Sequence, residues 1–321
     1  MKSKGCRAVP ECEARRLVFV GPEGYGQPSH LKRGNRIKKV ENQSSRLYGE
    51  RMSRAFLRLF LSLSILFAAS PVLHCAESYT IAVIPKGTTH EFWKSINAGA
   101  KKAEQELRSQ GTKIDIIWKG PLREDDRDQQ IQVVENFMTR HVSAMVLAPL
   151  DSKALVKPVE NAMKTGVPVV IMDSDLKSDK YVSFVATDNY KGGRLAGEEM
   201  GRVLNGKGNV ILLRYAVGSA STEAREAGFV DALKKFPDIK LISSDQHAGA
   251  TRELAYQVSQ NLLNRFKHEV NGVFCPCEPP TVAMAKALRD VGLSGGKVKM
   301  IGFDSGSQSV TDMKKDRKSV V

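Results

Sequence analysis

From Tyr79 onward the chain alternates short apolar runs rich in β-branched residues with longer stretches whose apolar positions recur every three or four residues. The first run, residues 80–84, is stopped by Pro85 and Gly87, as a buried parallel strand would be. Phe92, Ile96, Ala100, Ala103 and Leu107 then mark one helical stripe, predicted to pack on a sheet while Lys94, Lys101, Lys102 and Glu104 stay in water. Further strands are predicted at 114–118, 144–148, 168–172, 182–186, 209–213, 240–243, 272–274 and 299–303. Helices are predicted at 129–140, 153–165, 191–204, 221–236, 251–265 and 281–291. This rhythm specifies an α/β fold with parallel, doubly wound sheets and right-handed crossovers. It breaks between Met172 and Val182, where two strands follow each other across a polar loop, a connection suited to a chain leaving one sheet for another. The lobe boundary is therefore placed near Thr187. That gives an N-terminal lobe at 79–186 and a C-terminal lobe at 187–321, with Thr187 and Asp188 at the hinge.

The segment before Tyr79 has a different character. Residues 1–51 show no sustained apolar periodicity and are rich in Gly, Pro, Lys and Arg, so they are expected to be disordered or a misassigned upstream segment. From Met52 the pattern changes: Arg54 and Arg58 precede LFLSLSILFAA, and small residues follow. That is the layout of a signal peptide over 52–76, too short for a membrane span, and it implies export. A basic internal signal anchor is the alternative. Cys75 could carry lipid, but His74 occupies a position where lipidation wants a small residue, so ordinary cleavage near Ala76 is expected.

Charge changes the picture less than it first suggests. Of the formal +14, residues 1–76 supply +9, from 14 Lys and Arg against 5 Asp and Glu. What remains has no basic run long enough to follow a phosphate backbone, so no nucleic-acid partner is expected. Cys275 and Cys277, two apart in FCPCEPP, lack the spacing of a zinc site and sit poorly for a disulfide, so both are expected as free thiols.

In open parallel sheets, ligands bind outside the carboxyl ends of the strands. The residues there include Lys86, His90, Phe92 and Trp93 after the first strand, and later Asp151, Asp173, Arg214, Asp245, Cys275 to Glu278, and Asp304. Asp151 and Asp245 are read as ordinary wet loop residues. Asp173 and Asp304 each follow an apolar strand directly (VVIMD, MIGFD), where a carboxylate at the sheet edge needs hydrogen-bond donors. A pair of sugar hydroxyls can supply them.

Five segments, IAVIPKGTTHEFW, VVIMDSD, ATDNYKGGRLAGEEMG, GSASTEAREAGF and VKMIGFDS, resemble the periplasmic sugar-binding proteins of ABC transporters, the ribose-binding-like branch of the type I periplasmic binding proteins. The resemblance covers about residues 79–305. It implies two Rossmann-like lobes joined by a hinge, with a monosaccharide held between them and delivered to a membrane permease by a monomeric protein. Carried over residue by residue, it gives Phe92 and Trp93 as aromatic walls, Asp173 and Asp304 as hydroxyl acceptors and Arg225 as the donor from the second lobe, with Lys86 and His90 beside them. Ser174 stands where ribose binders carry arginine, and Asp175 is expected to alter the site's polarity. Cys277 stands where asparagine is usual, with Glu278 as the candidate substitute. Asp188 and Asn189 are expected to cap the next helix, and Gly192 and Gly193 to let it approach the sheet. After Asp304 the chain departs from the family: a charged stretch without a further apolar strand reads as a truncated C-terminus lacking two hinge crossings.

No GxGxxG after a strand, GxxxxGK[ST], HExxH or GxSxG at a strand-to-helix turn is present, so no enzyme, cofactor or metal reading finds its motif in its required context. The alternative is a sugar-responsive transcriptional regulator of the lactose-repressor type, which shares the core fold. It would need a helix-turn-helix ahead of the core, where this chain has a signal-like apolar run.

Overall fold

Apolar alternation becomes two parallel sheets in the computed structural model, which describes residues 78–315. The disordered or misassigned segment, the signal peptide, Cys6, Cys12 and Cys75 lie outside the described residues, as does everything after Lys315. The elements run β1 (Ser78–Ile84), α1 (Glu91–Ser109), β2 (Lys113–Trp118), α2 (Arg127–Thr139), β3 (Ala144–Leu147), α3 (Val156–Lys164), β4 (Val169–Met172) and β5 (Ser183–Val185). There follow α4 (Asn189–Val203), β6 (Lys207–Leu212), α5 (Ala220–Leu233), β7 (Asp238–Ser243), α6 (Arg252–Phe266), β8 (Gly272–Phe274), α7 (Glu278–Asp290), β9 (Lys299–Ile301) and α8 (Ser307–Lys315). One sheet has the order β2-β1-β3-β4-β5 and the other β7-β6-β8-β9, with every pairing parallel.

Period-two side chains on buried strands build the core on both faces of the second sheet. Val210 and Leu212 join Ala196 and Met200 of α4 and Phe229 of α5, while Ile211 and Leu213 join Ala255 and Leu263 of α6 and Met284 of α7. In the first sheet Ala82, Ile84, Met145, Leu147 and Ile171 pack on Val134 and Phe137 of α2 and Val159 of α3. The edge strand β5 is exposed along its length.

Four local expectations are corrected. The loop after β4 returns the chain to the same sheet, since Ile171 pairs with Phe184, so the passage to the second sheet comes after β5. On α1 the buried residues are Trp93 and Glu104, whereas Ala103 and Leu107 are exposed. Glu104 tolerates burial because its Oε1 accepts the Ile116 amide at 2.9 Å and its carboxylate also pairs with Lys101 and Arg108. Residues 307–315 form a helix whose polar sequence hid it, anchored by an Arg289–Asp312 pair at 3.1 Å. Finally, of the two glycines expected to let α4 approach the sheet, Gly192 does meet the residue beyond β9, a Cβ there lying 2.9 Å from the Phe303 ring, but Gly193 serves a helix–helix approach: a Cβ at Gly193 would lie 1.9 Å from the Arg225 carbonyl oxygen, and one at Gly228 of α5 would lie 2.1 Å from that of Tyr190.

That contact yields a direct prediction. Gly193→Ala should destabilise the fold by about 2 kcal/mol or more in urea unfolding, because overpacking against backbone outweighs the roughly 1 kcal/mol gain in helix propensity. A stabilised variant would contradict the close approach of α4 and α5.

Candidate site at the carboxyl ends of the two sheets

The carboxyl ends of both sheets face one small, partly open cavity of about 30 Å³, room for about two water molecules. All nine residues singled out from sequence as ligand candidates line it: Lys86, His90, Phe92, Trp93, Asp173, Arg225, Cys277, Glu278 and Asp304. Asp151 and Asp245 do not. Asp151 caps the turn at Lys153 and Ala154 and pairs with Arg127.

Asp173 directly follows β4 and Asp304 lies three residues beyond β9, and both are in the left-handed backbone region, with φ of 63° and 70°. Asp enters that region at lower cost than most residues because its short side chain bonds locally, and such strain is characteristic of ligand sites. Each carboxylate faces a buried cation. Lys86, 3% exposed, places Nζ 3.3 Å from Asp173 Oδ2 and donates to Ser219 Oγ and Ser221 Oγ at 3.1 Å each. Arg225, 5% exposed, lies 3.8 Å from Asp304 Oδ1. It also donates from Nε to Asn189 Oδ1 and from Nη1 to the Pro276 carbonyl, both at 2.8 Å, and its guanidinium stacks 3.8 Å over Phe303. A helix salt bridge to Glu223 or Glu226 is not formed. Glu226 pairs instead with Arg214 at 2.7 Å, and Glu223 accepts the Gly218 amide.

Asp304 is enclosed, and burial pushes its pKa up to about 6 against the pull of Arg225. Its Oδ2 accepts the Glu278 amide at 2.9 Å. Glu278 pairs with Arg252 and accepts the Phe92 amide at 3.0 Å. Cys277, at the N-cap of α7, is a free buried thiol whose pKa burial raises well above its ordinary value. Phe92 meets Trp93 edge to face, with ring centroids 5.0 Å apart. No group of three or more His, Cys, Asp or Glu side chains among the described residues is placed to hold a metal ion.

Several lining residues were not legible in the sequence. Glu124 sits in the loop after β2, inside the run REDDRD, whose density of charge reads as solvated; it is 9% exposed and lines the cavity. Tyr215 comes from the segment between β6 and α5, and Ser221 and Thr222 from the first turn of α5. The rule that strand carboxyl ends bind ligands points to both loops, but no residue type within them stood out. Two other expectations are corrected. Only Asp188 caps α4, accepting the Lys191 amide at 3.0 Å, while Asn189 is buried between Arg225 and the Asp173 carbonyl. Asp175 is exposed and bonds the Leu176 amide, so it does not reach the cavity. Ser174, by contrast, is fully buried, and its Oγ accepts the Ser221 amide at 3.0 Å.

Two parallel-sheet lobes closed over a polar cavity walled by two aromatic rings define a binding protein of the hinged, two-lobed class. Residues 81–318 match the periplasmic binding protein domain family, and the chain belongs to that family. It is 30% identical to a D-ribose/D-allose-binding protein of Pseudomonas aeruginosa over 263 residues, 80% of this chain and 78% of the relative. It is 29% identical to a ribose import binding protein of Bacillus subtilis, over 75% of this chain and 74% of the relative. Among solved structures it resembles a carbohydrate transporter solute-binding protein of Agrobacterium radiobacter in complex with D-arabinose, at 31% identity, covering 76% of this chain and 81% of the other, with a TM-score of 0.68. The second and third of these are binding proteins of import or transport systems.

The raised pKa of Asp304 carries a sign that can be tested. The folded protein holds the Asp304 proton up to pH about 6, while the unfolded chain releases it near 4, so the proton's stabilising contribution fades as pH rises through that window. Asp304→Asn should therefore gain melting temperature relative to the ligand-free wild type as pH is raised from 4 to 7. A variant-minus-wild-type difference in melting temperature that falls over this pH range would contradict the burial of this carboxyl group.

Proposed function

We propose that this chain is an exported binding protein that captures a monosaccharide between its lobes and delivers it to the permease of an ABC importer, acting as a monomer in the periplasm. The observation that carries this reading is the convergence, on one cavity, of carboxylates, cations and adjacent aromatic rings from the ends of both sheets. A sugar needs all three: acceptors and donors for its hydroxyls and flat apolar surface for its ring. In this reading Asp173 and Asp304 accept hydroxyl protons, Lys86 and Arg225 donate, and Phe92 and Trp93 flank the ring. Charge-assisted bonds of this kind are stronger than neutral ones. The relatives' names, D-ribose and D-allose among them, favour small neutral sugars over the regulator reading.

At about 30 Å³ the cavity is closed on its own side chains, so a sugar enters a more open form and then draws the lobes together. The lobes would turn about the passage at Thr187 and Asp188. Differential affinity for the closed form is what shifts the population.

A melting screen tests the ligand class. One of D-ribose, D-allose or D-arabinose at about 100 times its Kd should raise the melting temperature by about 5 °C or more. A shift caused by amino acids or nucleotides but by no pentose or hexose would overturn the assignment. Trp93→Leu keeps apolar bulk but removes the flat ring, and should weaken the sugar about tenfold. Unchanged affinity in that variant would make Trp93 a packing residue.

A further inference from the structure

Glu124 makes a three-way junction that no sequence motif announced. Its Oε1 accepts the Trp93 indole Nε1–H at 2.8 Å and lies 2.6 Å from His90 Nδ1. Its Oε2 accepts the Tyr215 hydroxyl at 2.8 Å. Trp93 and His90 belong to the first lobe with Glu124 itself, whereas Tyr215 follows β6 in the second. All four side chains line the cavity.

An ionised carboxylate in so enclosed a place is costly unless its lone pairs are taken, and here three donors take them. Burial works to raise the Glu124 pKa, but the bond and charge of His90, the charge of Lys86 and the Tyr215 hydroxyl outweigh it, so the group stays ionised. The same partnership raises the pKa of His90 against the opposing effect of burial. The backbone makes room for this arrangement: a Cβ at Gly87 would lie 2.7 Å from Glu124 Cγ.

We infer that Glu124 is a positioning residue for the ligand site, orienting the Trp93 indole and the His90 imidazole from behind and gaining its Tyr215 bond only when the lobes close. The inference rests on the sugar-binding reading above and adds to it a device by which closure and ring orientation are linked through one carboxylate. In the open form Glu124 keeps its two first-lobe donors. Closing adds the third.

The test is a double-mutant cycle on the unlabelled protein, read by the affinity for D-ribose, D-allose or D-arabinose and by the sugar-induced change in tryptophan emission. Glu124→Gln should weaken binding tenfold or more and lose most of the emission change. Tyr215→Phe, which removes only the bond between lobes, should cost three- to tenfold and keep part of the emission change. The double variant should bind no worse than Glu124→Gln alone, because the two residues act through one bond. A purely structural role would lower the melting temperature while leaving affinity and emission change intact in the folded variants, and that result would overturn the inference. Should Glu124→Gln fail to fold, wild-type affinity in Tyr215→Phe would overturn it equally. If the unsubstituted protein binds none of the three sugars, the sugar reading falls first and this inference with it. If it binds and the variants match it, only the inference falls.

Discussion

Enclosed charge between two sheets is the constraint on which the rest of this structure depends. Lys86, Arg225, Glu124, Glu278 and Asp304 are each less than about one-sixth exposed or fully buried, and isolated ions there would cost far more than any single contact returns. The fold meets that cost by pairing them, and much of the pairing runs between the lobes: Lys86 to Ser219 and Ser221, Glu124 to Tyr215, Glu278 to the Phe92 amide. A protein that closes with its charges mutually satisfied can also open at modest cost, because water replaces the partners that are lost. The same groups then become available to a ligand rich in hydroxyls.

The parallel sheets bring these groups together because every strand points its carboxyl end toward the same cleft. Left-handed backbone at Asp173 and Asp304 turns each carboxylate across the end of its strand. The tight approach of α4 and α5, made possible by Gly193 and Gly228, places Arg225 beside Asn189 and beneath Phe303. Helix packing at the backbone of Arg225 thereby sets the position of its cation within the cavity.

Most of the fold was legible because buried strands and amphipathic helices leave strong periodic signals, and the strand-end residues Asp173 and Asp304 were legible because a charge directly after an apolar run is anomalous. Other features were hidden for identifiable reasons. Glu124 lay within a charged run, where burial of one carboxylate among four neighbouring acids has no local signature. Glu104 looked solvated because its pairs with Lys101 and Arg108 on the same helix read as an exposed ion-pair face, and its third partner, the Ile116 amide, is supplied only by packing of α1 on β2. The helix at 307–315 carries few apolar positions and is held by its polar side chains, Asp312 with Arg289 and the Ser307 amide with Glu91.

The central claim is that bonds between the lobes form on closure and that a sugar favours the closed form. Amide hydrogen exchange at Ser221 and Ser152 measures this most directly, since the Ser221 amide is bonded to Ser174 Oγ and the Ser152 amide to the Gly218 carbonyl, in each case across the cleft. Saturating sugar should slow exchange at these two amides more than at core amides of β1 or β6. Exchange that is unchanged at Ser221 and Ser152, or slowed equally throughout the protein, would contradict closure on the ligand.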